Sequence, residues 1–278
     1  MKKWNMIVDV AQCHNCNNCF LSCKDEYIGN DYPGYSAPQP LHGHQWIKIL
    51  SKERGKYPMT DVAYVPTMCN HCDDAPCMRA ATGNAIKKRD DGIVIIDPEE
   101  SKGQKQIVDA CPYGAVYWNE ELQIPQAWPF DAHLLDRGWN KTKLESVCPT
   151  GVFRSLKVSD LEMKKLANDE GLETLEQKSG AKPRIYYKNN HLFETRFLGG
   201  TIVTETEGIE ECVEGAIVIA THGDQEIGRT ESDVFGDFKI SGLPRNLELV
   251  TLRVEIAGNV KSLETELSDS VYVGCLTI

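Results

Sequence analysis

Cys13-His14-Asn15-Cys16-Asn17-Asn18-Cys19-Phe20-Leu21-Ser22-Cys23 sets four thiols at C-x2-C-x2-C-x3-C, a spacing whose thiolates hold iron–sulfur clusters. In two-cluster folds built on this run, the first three cysteines grip one cluster and the fourth reaches across to its neighbour. Each cluster then takes a triplet and one remote cysteine, the remote one commonly followed by proline. Working outward, the rule asks for a second triplet and for two Cys-Pro signatures.

Both are present. Cys69-Asn70-His71-Cys72-Asp73-Asp74-Ala75-Pro76-Cys77 is a C-x2-C-x4-C triplet, with Ala81 where its fourth thiol would fall. The signatures are Cys111-Pro112-Tyr113-Gly114 and Cys148-Pro149-Thr150-Gly151. Crossing the motifs gives an inner module with one cluster on Cys69, Cys72, Cys77 and Cys111. Its second cluster would need Ala81, Ser101, Gln104 and Ile107, none of which is a thiol. The outer module holds one cluster on Cys13, Cys16, Cys19 and Cys148. Its second would need Cys23, Trp128, Asp131 and Leu144, where only Cys23 is a thiolate donor.

Indole and isobutyl groups offer iron no lone pair, so the expectation is two [4Fe–4S] clusters, one per module. Cys23 is left as a buried free thiol; the alternative is a degenerate third cluster on Cys23 and Asp131 with exogenous ligands. Trp128 and Leu144, with Trp118 and Trp139, suit shielding clusters or filling vacated volume. The dense thiol run and the Cys-Pro-x-Gly endings fit iron–sulfur better than zinc. His14 and His71 read as a hydrogen bond or positive charge near cluster sulfur, not as ligands. Asp73 and Asp74 read as solvated loop charges.

The 278 residues leave room for two or three domains. Hydrophobic and charged contents of 41% and 26% are those of a globular protein. A net charge of −11 argues against nucleic acid and anionic membrane as partners. No apolar run approaches the length of a membrane span. Eleven cysteines, nine of them clustered in metal-ligand spacing before residue 149, after a start (Met1-Lys2-Lys3-Trp4-Asn5) with no apolar core and no twin arginine, predict a reducing, cytoplasmic location or export on a partner.

The predicted class is α+β, with ferredoxin-like modules nested one inside the other. Residues 1–60 and 119–155 form the outer module and 61–118 the inserted one; 156–184 are helix and linker, and 185–278 an antiparallel β-sandwich or barrel. Met6 to Val10, Gln45 to Leu50 and Gly92 to Asp97 read as strands, Lys52 to Met59 as a basic turn. Phe20 to Glu26 and Ser101 to Ala110 read as helices. Ser159-Asp160-Leu161-Glu162 has the form of a capping box opening a helix that Gly171 ends. Beyond Arg184, Gly215–Ala220, Glu226–Glu231, Gly236–Ile240 and Val250–Ala257 alternate as short strands. Cys212 and Cys275 lie outside any ligand pattern and read as packing residues, with a disulfide as the alternative. Gly199-Gly200 lacks the strand-then-helix setting of a phosphate loop, and no catalytic constellation emerges.

The order of these motifs resembles the iron–sulfur subunits of the dimethyl sulfoxide reductase superfamily of molybdopterin enzymes. Within it the chain is most similar to small subunits of the pyrogallol–phloroglucinol transhydroxylase family. The residues that carry this are Asn17-Asn18-Cys19-Phe20, Tyr32-Pro33-Gly34-Tyr35, Tyr117-Trp118-Asn119-Glu120, Ala132-His133-Leu134-Leu135-Asp136 and Tyr186-Tyr187-Lys188-Asn189. That family also lacks the Ser101/Gln104/Ile107 cluster but keeps thiols at the positions of Trp128, Asp131 and Leu144.

The resemblance implies an electron-transfer and structural subunit, with no substrate-converting site of its own, in a heterodimer or larger complex. It implies a large catalytic partner holding molybdenum–bis(molybdopterin guanine dinucleotide), hydroxylating or transhydroxylating polyhydroxylated aromatics. The alternative is the electron-transfer subunit of a respiratory molybdopterin oxidoreductase with a non-phenolic substrate. For the C-terminal domain it implies a transthyretin-like module.

Overall fold

The computed structural model describes the backbone of all 278 residues and every side chain except that of Gln177. Two compact units emerge, Met1–Leu50 with Tyr64–Asn190, and Ser51–Ala63 with His191–Ile278.

In the first unit the chain runs β1 (Lys2–Asp9), α1 (Asn18–Tyr27), β2 (Ile47–Lys56), β3 (Met59–Met68), α2 (Pro76–Ala80), β4 (Ile86–Lys88), β5 (Val94–Ile96) and α3 (Gln106–Asp109). It continues through β6 (Tyr117–Asn119), β7 (Ile124–Gln126), α4 (Ala132–Leu135), α5 (Lys143–Val147), β8 (Phe153–Ser159), α6 (Asp160–Glu170) and β9 (Ile185–Lys188). Strand β1 is central, antiparallel to β8 from Lys2↔Ser159 to Val8↔Phe153 and parallel to β9 from Met6↔Ile185 to Asp9↔Lys188. Trp4 to Val8 are all buried, as a strand covered on both faces requires.

Each cysteine triplet leads into a short helix, α1 or α2, and each Cys-Pro signature ends one, α3 or α5. Proline after Cys111 and Cys148 cannot continue a helix, so each thiol is fixed just past a helix end. α1 packs on α5 and α2 on α3, which carries the remote cysteines toward the triplets. Ala85, Ile86, Val94, Ile107 and Val116 form the core beside Cys77 and Cys111. The capping box of α6 is complete in both directions, and Gly171 closes the helix in the left-handed conformation at φ +63°.

Two elements differ from the sequence reading. Lys52 to Met59 is not a turn; it lies in the β2–β3 hairpin, whose tip is Tyr57-Pro58. Only residues 106–109 of the expected Ser101–Ala110 helix are α-helical; Gln104 instead clasps the loop at Thr82, its Oε1 accepting from the Thr82 amide and its Nε2 donating to Thr82 O.

The second unit contains the hairpin tip, α7 (His191–Glu194), β10 (Arg196–Thr206), β11 (Ile209–Cys212), β12 (Ile217–His222), β13 (Gln225–Glu231), β14 (Asp237–Leu243), β15 (Leu249–Ile256), β16 (Asn259–Glu266) and β17 (Val271–Thr277). One sheet has the order β11-β10-β14 with β17 also on β10; the other is β13-β12-β15-β16. Their inner faces share one core, with Leu198, Ile202, Phe238 and Ile240 from one sheet and Val218, Val250, Leu252 and Val254 from the other. All pairings are antiparallel except β10 with β17, which is parallel.

A Cβ on Gly199 would come within 2.2 Å of Met59 Sδ, so this strand glycine serves close packing against the hairpin tip. Arg54, 2% exposed, donates to Asp61 at 2.5 Å, and Lys239 reaches the same carboxylate at 2.8 Å. The two cysteines Cys212 and Cys275 correct the expectation that they pack inside: both are exposed. No disulfide is present among the described residues.

Candidate metal centres

Cys13, Cys16, Cys19 and Cys148 line one small concavity, walled by Ile49, Pro66 and Phe153. The triplet loop reaches it through left-handed backbone at Asn15 and Asn17, a conformation asparagine tolerates better than most residues. Cys19 is buried and Cys16 exposed. The Val152 amide donates to Cys148 Sγ at 3.4 Å. Burial, with the neighbouring thiols adding to it, pushes Cys19 up to about 12 and Cys13 upward.

Cys69, Cys72, Cys77 and Cys111 form the second group. Burial first, then neighbouring sulfur, takes Cys72 to about 12, Cys77 to about 11 and Cys69 well up. Four thiols crowded in low dielectric hold their protons unless a cationic core offsets the charge, and ligation then releases them. Among the described residues, no three His, Cys, Asp or Glu side chains converge closely enough to ligate a single ion. The donor chemistry, two sets of four thiols, fits [4Fe–4S] clusters.

His71 is 1% exposed, and its Nδ1 accepts from the Val94 amide at 3.1 Å. In a neutral ring the proton then sits on Nε2, which is buried without a protein acceptor. Burial lowers its pKa to about 3, so of the two roles read for His71, hydrogen bond or positive charge, the neutral ring leaves the hydrogen bond. His14 is exposed. Asp73 also departs from the reading of a solvated charge, since it is bound by Arg184 and by Lys88 at 2.9 Å; Asp74 is half exposed.

The positions that lack cluster thiols are filled. In the inner module Ile107 is wholly buried, Ala81 packs with it, and Ser101 lies beneath the surface. In the outer module Trp128, Asp131, Leu144 and Cys23 are all buried, at 0%, 2%, 1% and 4% exposure. Trp128 stacks at 5.0 Å on Phe130, and His71 meets both rings edge-on. Asp131 Oδ1 accepts from Trp128 Nε1 and from the Tyr27 hydroxyl, both at 2.9 Å, and Oδ2 from the Lys143 amide at 2.8 Å. Burial raises the Asp131 pKa against these bonds, and the same burial, with Asp131 nearby, raises that of Cys23. Trp139, 44% exposed, takes no part in the filling.

A cluster of polar groups next to this cage has no counterpart in the motif reading. Glu26 accepts from Lys143 Nζ at 2.6 Å and from the Tyr32 hydroxyl at 2.7 Å, and pairs with His133 Nε2 at 2.8 Å. Burial opposes ionisation of Glu26, but these three donors outweigh it and take the carboxyl down to about 2. Its signals in the sequence are the Tyr32-Pro33-Gly34-Tyr35 and Ala132-His133-Leu134-Leu135-Asp136 similarities, neither of which says that Tyr32 and His133 meet at Glu26.

Residues 60–157 match the 4Fe-4S dicluster domain family. The chain is 42% identical over 276 residues to the pyrogallol hydroxytransferase small subunit of Pelobacter acidigallici, covering 98% of this chain and 96% of that one. It is 32% identical over 133 residues to the iron–sulfur subunit of arsenate respiratory reductase from Shewanella sp. strain ANA-3, covering 48% and 52%. With a putative dimethyl sulfoxide reductase iron–sulfur subunit of Halobacterium salinarum it shares 27% over 224 residues, 69% and 81% of the two chains. No helix is long and apolar enough to cross a membrane. The chain belongs to the family of 4Fe-4S dicluster iron–sulfur subunits of dimethyl sulfoxide reductase-type enzymes.

Proposed function

We propose that the chain is the iron–sulfur small subunit of a molybdenum hydroxytransferase that moves a hydroxyl group between polyhydroxylated aromatics of the pyrogallol type. The observation that carries this is likeness over 98% of the chain, β domain included, to the small subunit of a pyrogallol hydroxytransferase. The likeness to the arsenate reductase subunit covers only 48% of it, which favours the phenolic reading over a respiratory one. The partner is a large subunit carrying the molybdopterin cofactor and the substrate site.

In this reading Cys13, Cys16, Cys19 and Cys148 ligate one [4Fe–4S] cluster, and Cys69, Cys72, Cys77 and Cys111 the other. Such clusters, when bound, take up and pass on single electrons. Cys23 is a free thiol in a dry cage. The ligand-bearing stretches are those of the nested modules, 1–60 with 119–155 around 61–118, joined by 156–184 to a transthyretin-like domain at 185–278. Two four-stranded sheets over one core support that last assignment. Eleven cysteines with none paired support a reducing, cytoplasmic setting.

Transfer of a hydroxyl between two aromatics exports no electrons, whereas hydroxylation from water must export an electron pair. The test is turnover of the co-purified complex on polyhydroxybenzenes without any external electron acceptor. Sustained conversion supports the reading. Strict dependence on an added acceptor, or a partner without molybdenum, overturns it.

A further inference from the structure

Lys88 is the one ammonium that binds the main chain of a cysteine loop among the contacts of the second thiol group. Its side chain, 20% exposed, donates to His71 O at 2.7 Å, Gly92 O at 2.7 Å and Cys72 O at 3.1 Å, and pairs with Asp73 at 2.9 Å. Four oxygen acceptors around one nitrogen require the protonated amine, since a neutral amine has too few hydrogens. The charge lies within electrostatic reach of the Cys69 and Cys72 sulfurs.

The surrounding charges do not cancel it. Arg184, 4% exposed, is bound to Asp73, to Asp160 at 2.9 Å and to Asn5 Oδ1 at 3.2 Å; Lys3 reaches Asp160 at 2.8 Å and Asp73 at 3.8 Å. Three cations thus meet two carboxylates, leaving one positive charge in excess. The carboxylates are also the wetter groups, 31% exposed at Asp73 and 61% at Asp160, so water screens them more than it screens Arg184 or Lys88. At the first thiol group, by contrast, no cation is paired with the triplet loop among the described contacts, and Cys16 is open to solvent.

We propose that Lys88 sets the reduction potential of the cluster on Cys69, Cys72, Cys77 and Cys111, holding it higher than the same ligands alone would give. The inference rests on the ligand assignment above. Reduction adds one electron and so one unit of negative charge to the cluster, and a fixed, partly buried cation stabilises that state over the oxidised one. Lys88 touches no substrate; it is a positioning and charge-setting residue.

The test is a mediated redox titration of the iron-loaded complex, read by electron paramagnetic resonance, with Cys111→Ser assigning the signals. Lys88→Met should lower the assigned midpoint by about 59 mV, a tenfold smaller reduction constant for a one-electron couple. The other cluster's midpoint and the iron content should stay unchanged, and Lys88→Arg should restore the value. A purely structural role predicts the opposite sign, because a loosened loop admits water, which also stabilises the reduced state; an unchanged or raised midpoint overturns the proposal. Should Lys88→Met lose the cluster, Asp73→Asn decides, expected to raise the midpoint and overturning the proposal if it does not. If Cys111→Ser removes no signal from the wild-type pattern, the ligand assignment itself has failed, which is a distinct result.

Discussion

Asp131 accepts from an indole, a phenol and a main-chain amide while 2% exposed, on left-handed backbone at φ +51° beside Phe130 at φ +59°. The three donors come from separate elements, so this carboxylate ties α1, the Trp128 loop and the start of α5 together. Asp131→Leu strands all three, at about 1–3 kcal/mol for each buried donor. With partial relaxation the expected loss is about 3 kcal/mol, seen as a lower Tm of the iron-loaded protein with unchanged iron content.

Glu26 gives a pH signature. Its folded pKa of about 2 lies below the ordinary carboxylate value, so its stabilisation is fully present above about pH 4 and fades as the pH falls toward 2. Glu26→Gln should therefore melt lower than wild type at pH 7, and the gap should narrow below pH 4; a gap that widens in acid contradicts the assignment. At this scale the sequence shows which positions lack thiols, because cysteine spacing is rigid. It does not show that Asp131 and Glu26 carry hydrogen-bond cages, since Tyr27 and His133 lie more than a hundred residues from their partners.

Among elements, local signals were legible and long-range ones were not. Ser159-Asp160-Leu161-Glu162 specifies the start of α6 by itself, and both capping bonds form, at 3.3 Å to the Glu162 amide and 2.8 Å to the Ser159 amide. Lys52 to Met59 looked like a basic turn because its charges alternate with Gly55 and Pro58. What makes it β-hairpin is remote: Asp61 neutralises buried Arg54, Phe197 lies under the Arg54 and Lys239 cations, and Gly199 makes room for Met59. Removing that carboxylate leaves Arg54 as an unpaired buried charge. Asp61→Ala is expected to cost about 3 kcal/mol, measured as a Tm decrease, whereas replacing the exposed Glu210 at the β11 edge should change Tm little. Ser101 to Ala110 is shorter as a helix because Gly103 sits at φ +76°, outside helical backbone, and Gln104 is bound to Thr82 of another loop.

For the whole molecule, the cysteine order proposes a nesting of the motifs, because crossing ligation demands that remote segments meet. The packing of α1 on α5 and of α2 on α3 brings them together. Under the proposed ligand assignment, filling of the vacated positions by Trp128, Leu144 and Ile107 leaves a relay through this subunit one stop per module. A chemistry that moves a group without exporting electrons tolerates such an interruption.

The central claim is two cubes per chain, about eight irons at four per cube. Anomalous diffraction at the iron edge tests it directly. The account predicts two peaks, one amid Cys13, Cys16, Cys19 and Cys148 and one amid Cys69, Cys72, Cys77 and Cys111. A third peak beside Trp128, Asp131 and Cys23, or no peak at either quartet, would contradict it.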